Sequence, residues 1–509
     1  MPHVVTQACC GDASCVFACP VNCIHPTPDE PDFATAEMLY VDPSTCVDCG
    51  ACVSACPVGA IVPDHRLPAG QERFVDLNAR HYAAAEAPST SDAASMAARF
   101  PVDHVLRLPL APAAPPSALR AGTSVDVGIV GSGPSAMYAA DELLRHPQVS
   151  VTIYERLDRP FGLARFGVAP DHLSTRSVMR LFDEIARDAR LRILLNTEIG
   201  RDITLDEVRR RHDAVIWAGG APTDRPIEIP GTGLGGVASA TSFVGWYNDH
   251  PDFADLDVDL STDRAVVIGN GNVALDVARI LVTDPGELVA TTIAPRALEV
   301  LRRSEIEEVV VVGRRGPADA AFTLPELVGL ADSGVPITVD EADLAPVLHP
   351  DSESPGAPGV LDDTSRAKNA VLQEIAARRT PSGRRIRLAF WESPAEFTGT
   401  GRVSSVTLRR NRIGDGPTGI EETGQHRDLP AGLVLTAVGY RGVAVPGLPF
   451  DAATGTVPHR TGRVVDGDAP VRGVYVTGWI KRGPSGFIGT NKSDSAETVA
   501  ALLEDLSGR

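Results

Sequence analysis

The 509-residue sequence has no cysteine after Cys56, no Lys or Arg before Arg66, and no long apolar run. A membrane-spanning helix needs about 20 consecutive apolar residues, so the last absence argues against a membrane span. The formal charge of −19 argues against a nucleic-acid partner, because phosphates are bound by basic side chains. The first ten residues, MPHVVTQACC, lack the basic and apolar regions of a signal peptide. We therefore expect a soluble, cytoplasmic protein in a reducing compartment.

The nine cysteines all lie between Cys9 and Cys56. In a reducing compartment such clustering indicates metal binding rather than disulfides. The run from Cys46 to Pro57, CVDCGACVSACP, has the C-x2-C-x2-C-x3-C-P spacing of bacterial iron–sulfur domains. Zinc is the alternative metal, but zinc sites of this type use two separated CxxC pairs. The spacing therefore predicts an iron–sulfur site.

Upstream, Cys15-x3-Cys19-Pro20 repeats the end of that run, and the segment resembles a two-cluster bacterial ferredoxin. The resemblance implies two ligand sets, because the last cysteine of each run joins the other cluster. The first set is Cys9, Cys15 and Cys56, with Asp12 where the family has a further cysteine. The second set is Cys19, Cys46, Cys49 and Cys52. A carboxylate is a harder ligand than a thiolate, so we expect the first set to hold a three-iron cluster or a labile four-iron cluster. The second set is expected to hold a 4Fe-4S cluster.

Two cysteines remain outside these sets. Cys10 competes with Cys9 as a ligand, although only Cys9 has the spacing of the repeat. Cys23 resembles the non-ligand cysteine near the clusters of seven-iron ferredoxins.

Residues 1–65 carry eight carboxylates and a net charge of −8, which suits either docking to a basic patch or simple solubility. Residues 80–123 are rich in Ala, Pro and Ser and are expected to form a linker.

Residues 125–136, VDVGIVGSGPSA, place Gly131, Gly133 and Ala136 after a short apolar strand, at the spacing of a βαβ dinucleotide-binding turn. Gly131 permits the tight turn, and Gly133 lets the backbone approach a pyrophosphate. The small Ala136 lets the following helix pack closely against the strand. A second strand, residues 149–154, leads to Glu155, whose carboxylate can accept a hydrogen bond from a ribose hydroxyl. This stretch predicts a dinucleotide site.

A second fingerprint, GNGNVA, runs from Gly269 to Ala274 and includes Asn270, Gly271 and Asn272. Its next strand, residues 309–312, ends not in an acid but in Gly-Arg314-Arg315-Gly. Two guanidinium groups at this position suit a ribose 2′-phosphate, so the sequence predicts NADP(H). The alternative interpretation is a solvated basic turn.

From about residue 124 to the end, the chain closely resembles adrenodoxin-reductase-type ferredoxin–NADP reductases. The stretches that carry the resemblance are GSGPSA, PFGLARFGVAPDH, FVGWYN, GNGNVALDVARIL, VGRRGP, AFTLPEL and GWIKRGPSGFIGT. The resemblance implies FAD contacts at Ser135, Glu155, Leu163, Ile199, Trp479, Gly486, Phe487 and Ile488. It implies NADP contacts at Gly269, Asn270, Gly271, Asn272, Arg314, Arg315, Glu326 and Gly486. His172 and Asp276 match residues that assist near the flavin in that family, and we expect Trp479 to lie near the isoalloxazine.

These motifs together predict an α/β protein with two Rossmann-like βαβ domains, one for FAD and one for NADP, after a small α+β ferredoxin domain. The predicted domains are an iron–sulfur domain in residues 1–79, the linker in 80–123, an FAD domain in 124–262 and 439–509, and an NADP domain in 263–438. A helix is expected over residues 174–189, and residues 331–363 are expected to form an excursion or mobile loop.

The resulting hypothesis is an NADPH–ferredoxin oxidoreductase with its ferredoxin fused at the N-terminus. Electrons would continue to an external acceptor such as a cytochrome P450 or another ferredoxin-dependent enzyme. Two alternatives are an electron-input module like the small subunit of glutamate synthase and a non-catalytic redox sensor. NADPH-dependent reduction of a cytochrome would distinguish an enzyme from a sensor.

Overall fold

The computed structural model describes residues 2–86, 119, 123–344, 363–378, 383–414 and 419–507. The chain divides into two compact units. The first comprises residues 1–168, 172–223 and 440–509, and the second comprises residues 169–171 and 224–439. Within the described ranges, no helix combines the length and the apolar character that crossing a bilayer requires.

The first unit begins with an internally duplicated segment. Its short helices are Ser14–Ala18 and Ala51–Ala55, and its strands pair antiparallel, His3–Val5 with Ile61–Pro63 and Ile24–His25 with Tyr40–Val41. Each element of one copy lies 37 positions before its counterpart, as do Cys9 and Cys46. Positive backbone φ angles recur at the same offset, at Ala13 (58°) and Gly50 (72°) immediately before the two helices. A 3-10 turn at Asp64–Arg66 and a helix at Arg73–Glu86 follow the duplication.

The rest of the first unit is built on a seven-stranded sheet. In spatial order its strands are His459–Arg460, Arg463–Asp466, Ala469–Val476, Ala214–Trp217, Val125–Val130, Val149–Tyr154 and Leu191–Leu194. The last five strands run parallel, and their buried Val and Ile residues are typical of a sheet covered on both faces. The helices of this part are Pro134–Leu144, Gly162–Phe166, Leu173–Arg176, Val178–Ile185, Leu205–Arg211, Trp479–Arg482 and Thr490–Ser507.

The second unit contains a six-stranded parallel sheet. In spatial order its strands are Val237–Ser239, Leu433–Thr436, Arg264–Ile268, Glu308–Val312, Arg385–Ala389 and Ile337–Val339. An antiparallel sheet of Glu392–Thr398, Ser405–Ile413 and Ile420–Pro430 is inserted before Leu433–Thr436. The helices are Ala240–Tyr247, Asn272–Val282, Pro285–Leu288, Pro295–Leu301, Leu324–Asp332, Glu341–Leu344 and Asp363–Ala377, with 3-10 turns at Pro251–Phe253 and Pro317–Asp319.

The structure differs from the predicted boundaries in two places. The units divide between residues 223 and 224 rather than 262 and 263, because Val237–Ser239 pairs in parallel with Leu433–Thr436 of the second sheet. The N-terminal segment continues past residue 79, because the helix runs to Glu86 and the Tyr82 hydroxyl lies 2.7 Å from the Tyr40 carbonyl and 3.2 Å from that of Cys23. Most of the predicted linker, from residue 87 on, lies outside the described residues.

Two local predictions also need correction. The expected helix over 174–189 is divided at Ser177 and ends at Ile185. Residues 331–363 are not a simple excursion, because Ile337–Val339 is the edge strand of the second sheet, with Ile337 and Val339 buried. Short Asp- and Ser-rich flanks hid this three-residue alternation, and residues 345–362 lie outside the described residues.

Candidate functional site

The residues of the first cysteine set are mutual neighbours in the structure. Burial raises the pKa of Cys9 to about 11, and the nearby charges of Cys56 and Asp12 add to the shift. Burial also raises the pKa of Cys15, with Cys9, Asp12 and Cys56 among its charged neighbours. Several buried acidic groups that repel one another favour a bound cation, which would neutralise them and stabilise the thiolates. The set therefore fits an iron–sulfur cluster.

The second set lines a cavity of its own. Its lining includes the four predicted ligands together with Cys23, and the ligands are Cys19, Cys46, Cys49 and Cys52. Burial raises the pKa of Cys52 to about 11, with the other three sulfurs as charged neighbours. The Cys23 sulfur lies 3.4 Å from that of Cys19, and this hydrogen bond lowers the pKa of Cys19 to about 6. Cys23 is therefore a hydrogen-bonding neighbour of a predicted ligand.

The first dinucleotide turn has the geometry that the fingerprint predicts. Gly131 has φ of 94°, and a Cβ there would lie 2.6 Å from the Ala218 carbonyl oxygen. Gly133 precedes the helix Pro134–Leu144, no side chain caps this end, and a Cβ on Gly133 would meet nothing within 4 Å. An uncapped helix N-terminus beside open space suits a pyrophosphate. Ala136 is fully buried against the strand.

Glu155 lies where the sequence places it, directly after the second strand. Its carboxylate accepts hydrogen bonds from the backbone N–H of Ser132 at 3.1 Å and of Leu157 at 2.8 Å. The Ser132 hydroxyl donates to the same carboxylate. These bonds fix the carboxylate beside the glycine turn, where a ribose is expected.

Three other predicted residues of the first unit have different surroundings. Leu163 is 38% exposed, whereas Ile199 is buried in the apolar cluster beneath the sheet. His172 immediately precedes the helix Leu173–Arg176, and its carbonyl accepts a hydrogen bond from the Arg176 N–H at 3.0 Å. Exposure of Leu163 leaves its side chain free to contact a ligand.

Trp479 begins a short helix whose start is held by ionic contacts. The Trp479 ring lies 5.0 Å from that of Tyr440, and its Nε1 donates to the Ser485 carbonyl at 3.1 Å. Asp494 accepts from the Gly478 N–H at 2.6 Å and pairs with Lys481 at 2.8 Å. The Trp479 indole is thereby fixed while part of its surface stays accessible.

Residues 486–492, which we call the bridging segment, touch both the dinucleotide turn and the N-terminal segment. The Ser135 hydroxyl donates to Asn491 Oδ1 at 2.8 Å. On the other side, the Gly489 N–H donates to the Cys10 carbonyl at 2.8 Å, and Lys492 lies 3.5 Å from Asp12. Apolar residues of both regions share one core cluster: Ala8, Cys9, Cys10, Cys56, Val58, Ala60, Ala136, Tyr138 and Ile488. The first cysteine set is therefore the one adjacent to the dinucleotide turn.

In the second unit, the second fingerprint forms a similar turn. A Cβ on Gly269 (φ 113°) would lie 2.2 Å from the Ala437 carbonyl oxygen, whereas one on Gly271 would meet nothing within 4 Å. Gly271 precedes the helix Asn272–Val282, which no side chain caps. Asn272 Oδ1 accepts from the Thr323 N–H at 2.8 Å, and Asn270 Oδ1 accepts from the Ala321 N–H at 3.4 Å. The turn thus offers free backbone N–H groups to an anion.

The predicted 2′-phosphate residues lie on a fixed loop. The Arg314 carbonyl accepts from Asn411 Nδ2 at 2.9 Å, and the Arg315 carbonyl accepts from the Trp391 N–H at 3.1 Å. The Arg314 side chain is exposed, and that of Arg315 is partly exposed. Both guanidinium groups are therefore accessible to a ligand while their backbone is held.

Asp276 and Glu326 lie near a buried arginine of the second unit. Arg279 pairs with Asp276 at 2.7 Å and with Asp171 at 2.7 Å. Burial alone would lower the pKa of Arg279, but Asp276, Asp171 and Glu326 outweigh it and raise the pKa. Glu326 lies in the first turn of Leu324–Asp332, whose cap is the Thr323 hydroxyl. The ion pair gives Asp276 a structural role that the sequence did not predict.

Comparisons with known proteins agree with this geometry. The family models for the 4Fe-4S binding domain and for the NAD(P)-binding Rossmann-like domain match residues 39–62 and 129–196. A probable ferredoxin/ferredoxin–NADP reductase of Mycobacterium tuberculosis is 51% identical over 514 residues, covering 100% of this chain and 84% of that protein. The chain belongs to the ferredoxin/ferredoxin–NADP reductase family.

Other relatives and solved structures match about three quarters of this reductase. The NADPH-ferredoxin reductase FprA of Mycobacterium leprae is 47% identical over 393 residues, which are 75% of this chain and 84% of that protein. The structure of Mycobacterium tuberculosis FprA in complex with NADPH has 45% identity and a TM-score of 0.70, covering 76% of this chain and 85% of that one.

Sequence reasoning missed several residues that organise this ferredoxin/ferredoxin–NADP reductase. Asn411 holds the arginine loop, Asp494 holds the start of the Trp479 helix, and Lys492 contacts the iron–sulfur segment. Asn411 and Asp494 act through contacts distant in sequence, which no local motif encodes. Lys492 carried a signal that was available, since it is one of only three lysines in the chain.

Proposed function

We propose that this oxidoreductase passes electrons from NADPH through FAD to the two iron–sulfur clusters of its own N-terminal segment, and from there to an external acceptor. The observation that carries the proposal is the bridging segment. Asn491 contacts the FAD fingerprint through Ser135, and Gly489 contacts the first cysteine set through Cys10. One stretch of seven residues thus connects the flavin site with the iron–sulfur segment.

The chain's part in flavin chemistry is binding and orientation. Bound FAD accepts a hydride and releases its two electrons one at a time. Gly131 and Gly133 bring the N-terminus of Pro134–Leu144 close to the pyrophosphate, and Glu155 binds a ribose hydroxyl. The remaining contacts proposed for FAD are Ser135, Ala136, Leu163, Ile199, Trp479, Gly486, Phe487 and Ile488. Trp479 would lie beside the isoalloxazine of bound FAD and limit how the nicotinamide can stack.

NADPH binds at the second fingerprint. The backbone of Gly269 to Asn272 binds the pyrophosphate, while Arg314 and Arg315 bind the 2′-phosphate as charged hydrogen-bond donors. Glu326 and Gly486 complete the proposed contacts. His172 and Asp276 are proposed, by resemblance, to assist near the flavin.

The two cysteine sets have different proposed clusters and positions in the route. Cys19, Cys46, Cys49 and Cys52 hold a four-iron cluster, and the first set with Asp12 holds a three-iron or labile four-iron cluster. Because Cys9, Cys10 and Cys56 pack with the flavin fold, the first set is the entry side of the segment. Cys49 and Val47 are exposed, so the second set faces the external acceptor, such as a cytochrome P450.

Anaerobic titration with NADPH tests the proposal. The flavin absorbance should bleach, and EPR signals of reduced iron–sulfur clusters should then develop in the same sample. Cytochrome c added afterwards should be reduced for as long as NADPH remains. A protein that binds NADPH but never reduces its clusters or the cytochrome would be a sensor rather than this enzyme.

A further inference from the structure

Asp12 is the position at which the two copies of the iron–sulfur repeat differ most in chemistry, since its counterpart is Cys49. Asp12 is only 8% exposed. Its Oδ1 accepts a hydrogen bond from the Ser14 N–H at 3.3 Å, and its Oδ2 accepts one from the Ser14 hydroxyl. Lys492 Nζ lies 3.5 Å from the same Oδ2 and donates to the Ser14 hydroxyl at 2.8 Å. Both carboxylate oxygens therefore have protein partners.

Lys492 comes from the reductase part of the chain and has little freedom to withdraw. It lies in the first turn of Thr490–Ser507, and the preceding Gly489 is hydrogen-bonded to Cys10. A Cβ on Gly489 would lie 2.3 Å from the Asp12 nitrogen, so the backbones are in close contact. The start of this helix is thus fixed against the loop that carries Asp12.

Iron and Lys492 are competitors for the same carboxylate. An iron ion bound to Asp12 Oδ2 would place a second cation beside the ammonium group, and the ion pair would have to separate. The Lys492 side chain is only 30% exposed, so water would compensate incompletely for the lost partner. The contact with Lys492 therefore lowers the affinity of Asp12 for iron.

We propose that the ion pair with Lys492 prevents the carboxylate of Asp12 from binding a fourth iron, so that the reductase part of the chain keeps the first cysteine set at three irons. The inference rests on the proposed assignment of Cys9, Cys15 and Cys56 as cluster ligands, and it adds the residue that controls their iron content. A three-iron cluster that has gained one electron becomes a four-iron cluster by taking up one Fe²⁺, with no further change in electron count. What this uptake still requires is a ligand for the fourth iron, which Lys492 withholds.

The test uses the full chain with its cofactors. The protein is reduced anaerobically with dithionite, incubated with ferrous iron and desalted, after which iron is counted and the EPR spectrum of the reoxidised sample is recorded. Wild type should hold about seven irons and show the three-iron signal. Lys492→Met, which removes the charge and shortens the unbranched side chain by one heavy atom, should hold about eight and lose that signal. A chelator should remove the fourth iron from Lys492→Met about tenfold more slowly than it removes a fourth iron from wild type. This ratio is equivalent to about 1.4 kcal/mol.

Three variants make the result specific to the ion pair. Lys492→Arg keeps the charge and should stay at about seven irons. The double variant Lys492→Met with Asp12→Ala should also stay at about seven, because the fourth ligand is gone. Asp12→Cys should reach about eight with Lys492 in place, since a thiolate holds the fourth iron better.

The outcomes separate this inference from the proposed function. If Lys492→Met stays at seven irons while Asp12→Cys reaches eight, the cluster assignment stands and the role of Lys492 is wrong. If wild type already holds eight stable irons, Lys492 does not withhold the ligand. If Cys9→Ala, which removes the ligand atom, loses no iron, the assignment of the first set itself fails.

Discussion

At the scale of single residues, the proposed selectivity for NADPH depends on two arginines whose backbone is held in place. The carbonyls of Arg314 and Arg315 are fixed by Asn411 and Trp391, while the side chains remain accessible. A mobile loop would lose conformational entropy when it binds a ligand. Because the backbone of this loop is already held, less entropy would be lost when the two arginines bind a 2′-phosphate. The sequence predicted the arginines from their place after a strand but not the side chains that hold their loop.

Replacing Arg314 and Arg315 with Gln should therefore change the choice of nucleotide. The KM for NADPH should rise by more than about tenfold, because each lost charged contact costs about 1.5 to 3 kcal/mol. The KM for NADH should hardly change, because NADH has no 2′-phosphate. Steady-state kinetics with both nucleotides measures the difference.

A suitable control is Arg412→Gln. Arg412 is an exposed arginine of the same unit that pairs with Glu421 at 3.0 Å. It should leave both KM values unchanged. Equal losses with NADPH and NADH in the Arg314 and Arg315 variants would contradict the assignment.

Glu155 shows how far a motif predicts a residue. The fingerprint spacing placed a carboxylate after the second strand, and the structure has it there. The hydrogen bonds from Ser132 and Leu157, which orient the carboxylate, could not be predicted, because they depend on how two turns meet in three dimensions. Local spacing predicts a residue's place, whereas its orientation depends on neighbours from elsewhere in the chain.

At the scale of elements, the bridging segment is the part on which the route depends. Of its sequence, GFIGTNK, the resemblance predicted Gly486, Phe487 and Ile488 as FAD contacts and Gly486 also as an NADP contact. The structure adds the contact of Gly489 with Cys10, which joins residues 479 positions apart. Contacts at such separation leave no periodic pattern in the sequence.

Gly489→Ala should loosen the contact between the bridging segment and the first cysteine set. The new Cβ would lie 2.3 Å from the Asp12 nitrogen and 2.4 Å from the Cys10 carbonyl oxygen, so the backbones must separate. Such overpacking costs about 1 to 3 kcal/mol. Amide hydrogen exchange of residues 9–14 should become faster, and cluster reduction by NADPH should slow.

Gly233→Ala provides the matched control, since a Cβ there would meet nothing within 4 Å. It should leave exchange in residues 9–14 as in wild type. Unchanged exchange in Gly489→Ala would mean that the segment does not dock through this contact in solution.

At the scale of the whole molecule, the N-terminal segment and the flavin fold form one compact unit. The sequence predicted two domains joined by a linker. It could not predict their packing, because the shared apolar cluster and the contacts of Gly489 and Lys492 carry no motif. The boundary at 223/224 was missed for a related reason. Val237–Ser239 joins a sheet whose partner strand lies almost 200 residues later, so composition gives no sign of the division.

Cluster reduction in the intact chain should be intramolecular. It should follow first-order kinetics and be independent of protein concentration, since the segment packs on the flavin fold of its own chain. Stopped-flow absorbance at several protein concentrations measures this. A rate that rises linearly with concentration in the intact protein would mean that the segment serves a neighbouring molecule.

Cutting the chain near Ala113, which lies outside the described residues, supplies the comparison. The separated halves, mixed at micromolar concentrations, should react more slowly and with a rate that depends on concentration.

The 37-residue duplication has a consequence for docking direction. Two nearly equivalent faces related by an approximate two-fold axis would allow the segment to attach either way round, with opposite ends towards the flavin. The copies differ where the reductase touches them: Cys10, Asp12 and Ser14 correspond to Val47, Cys49 and Ala51. At the positions of Asp12 and Ser14, the reversed arrangement would offer Lys492 a thiol and a methyl group instead of a carboxylate and a hydroxyl. The contact of Lys492 with the copy that carries Asp12 therefore favours one docking direction of this duplicated segment over the reverse.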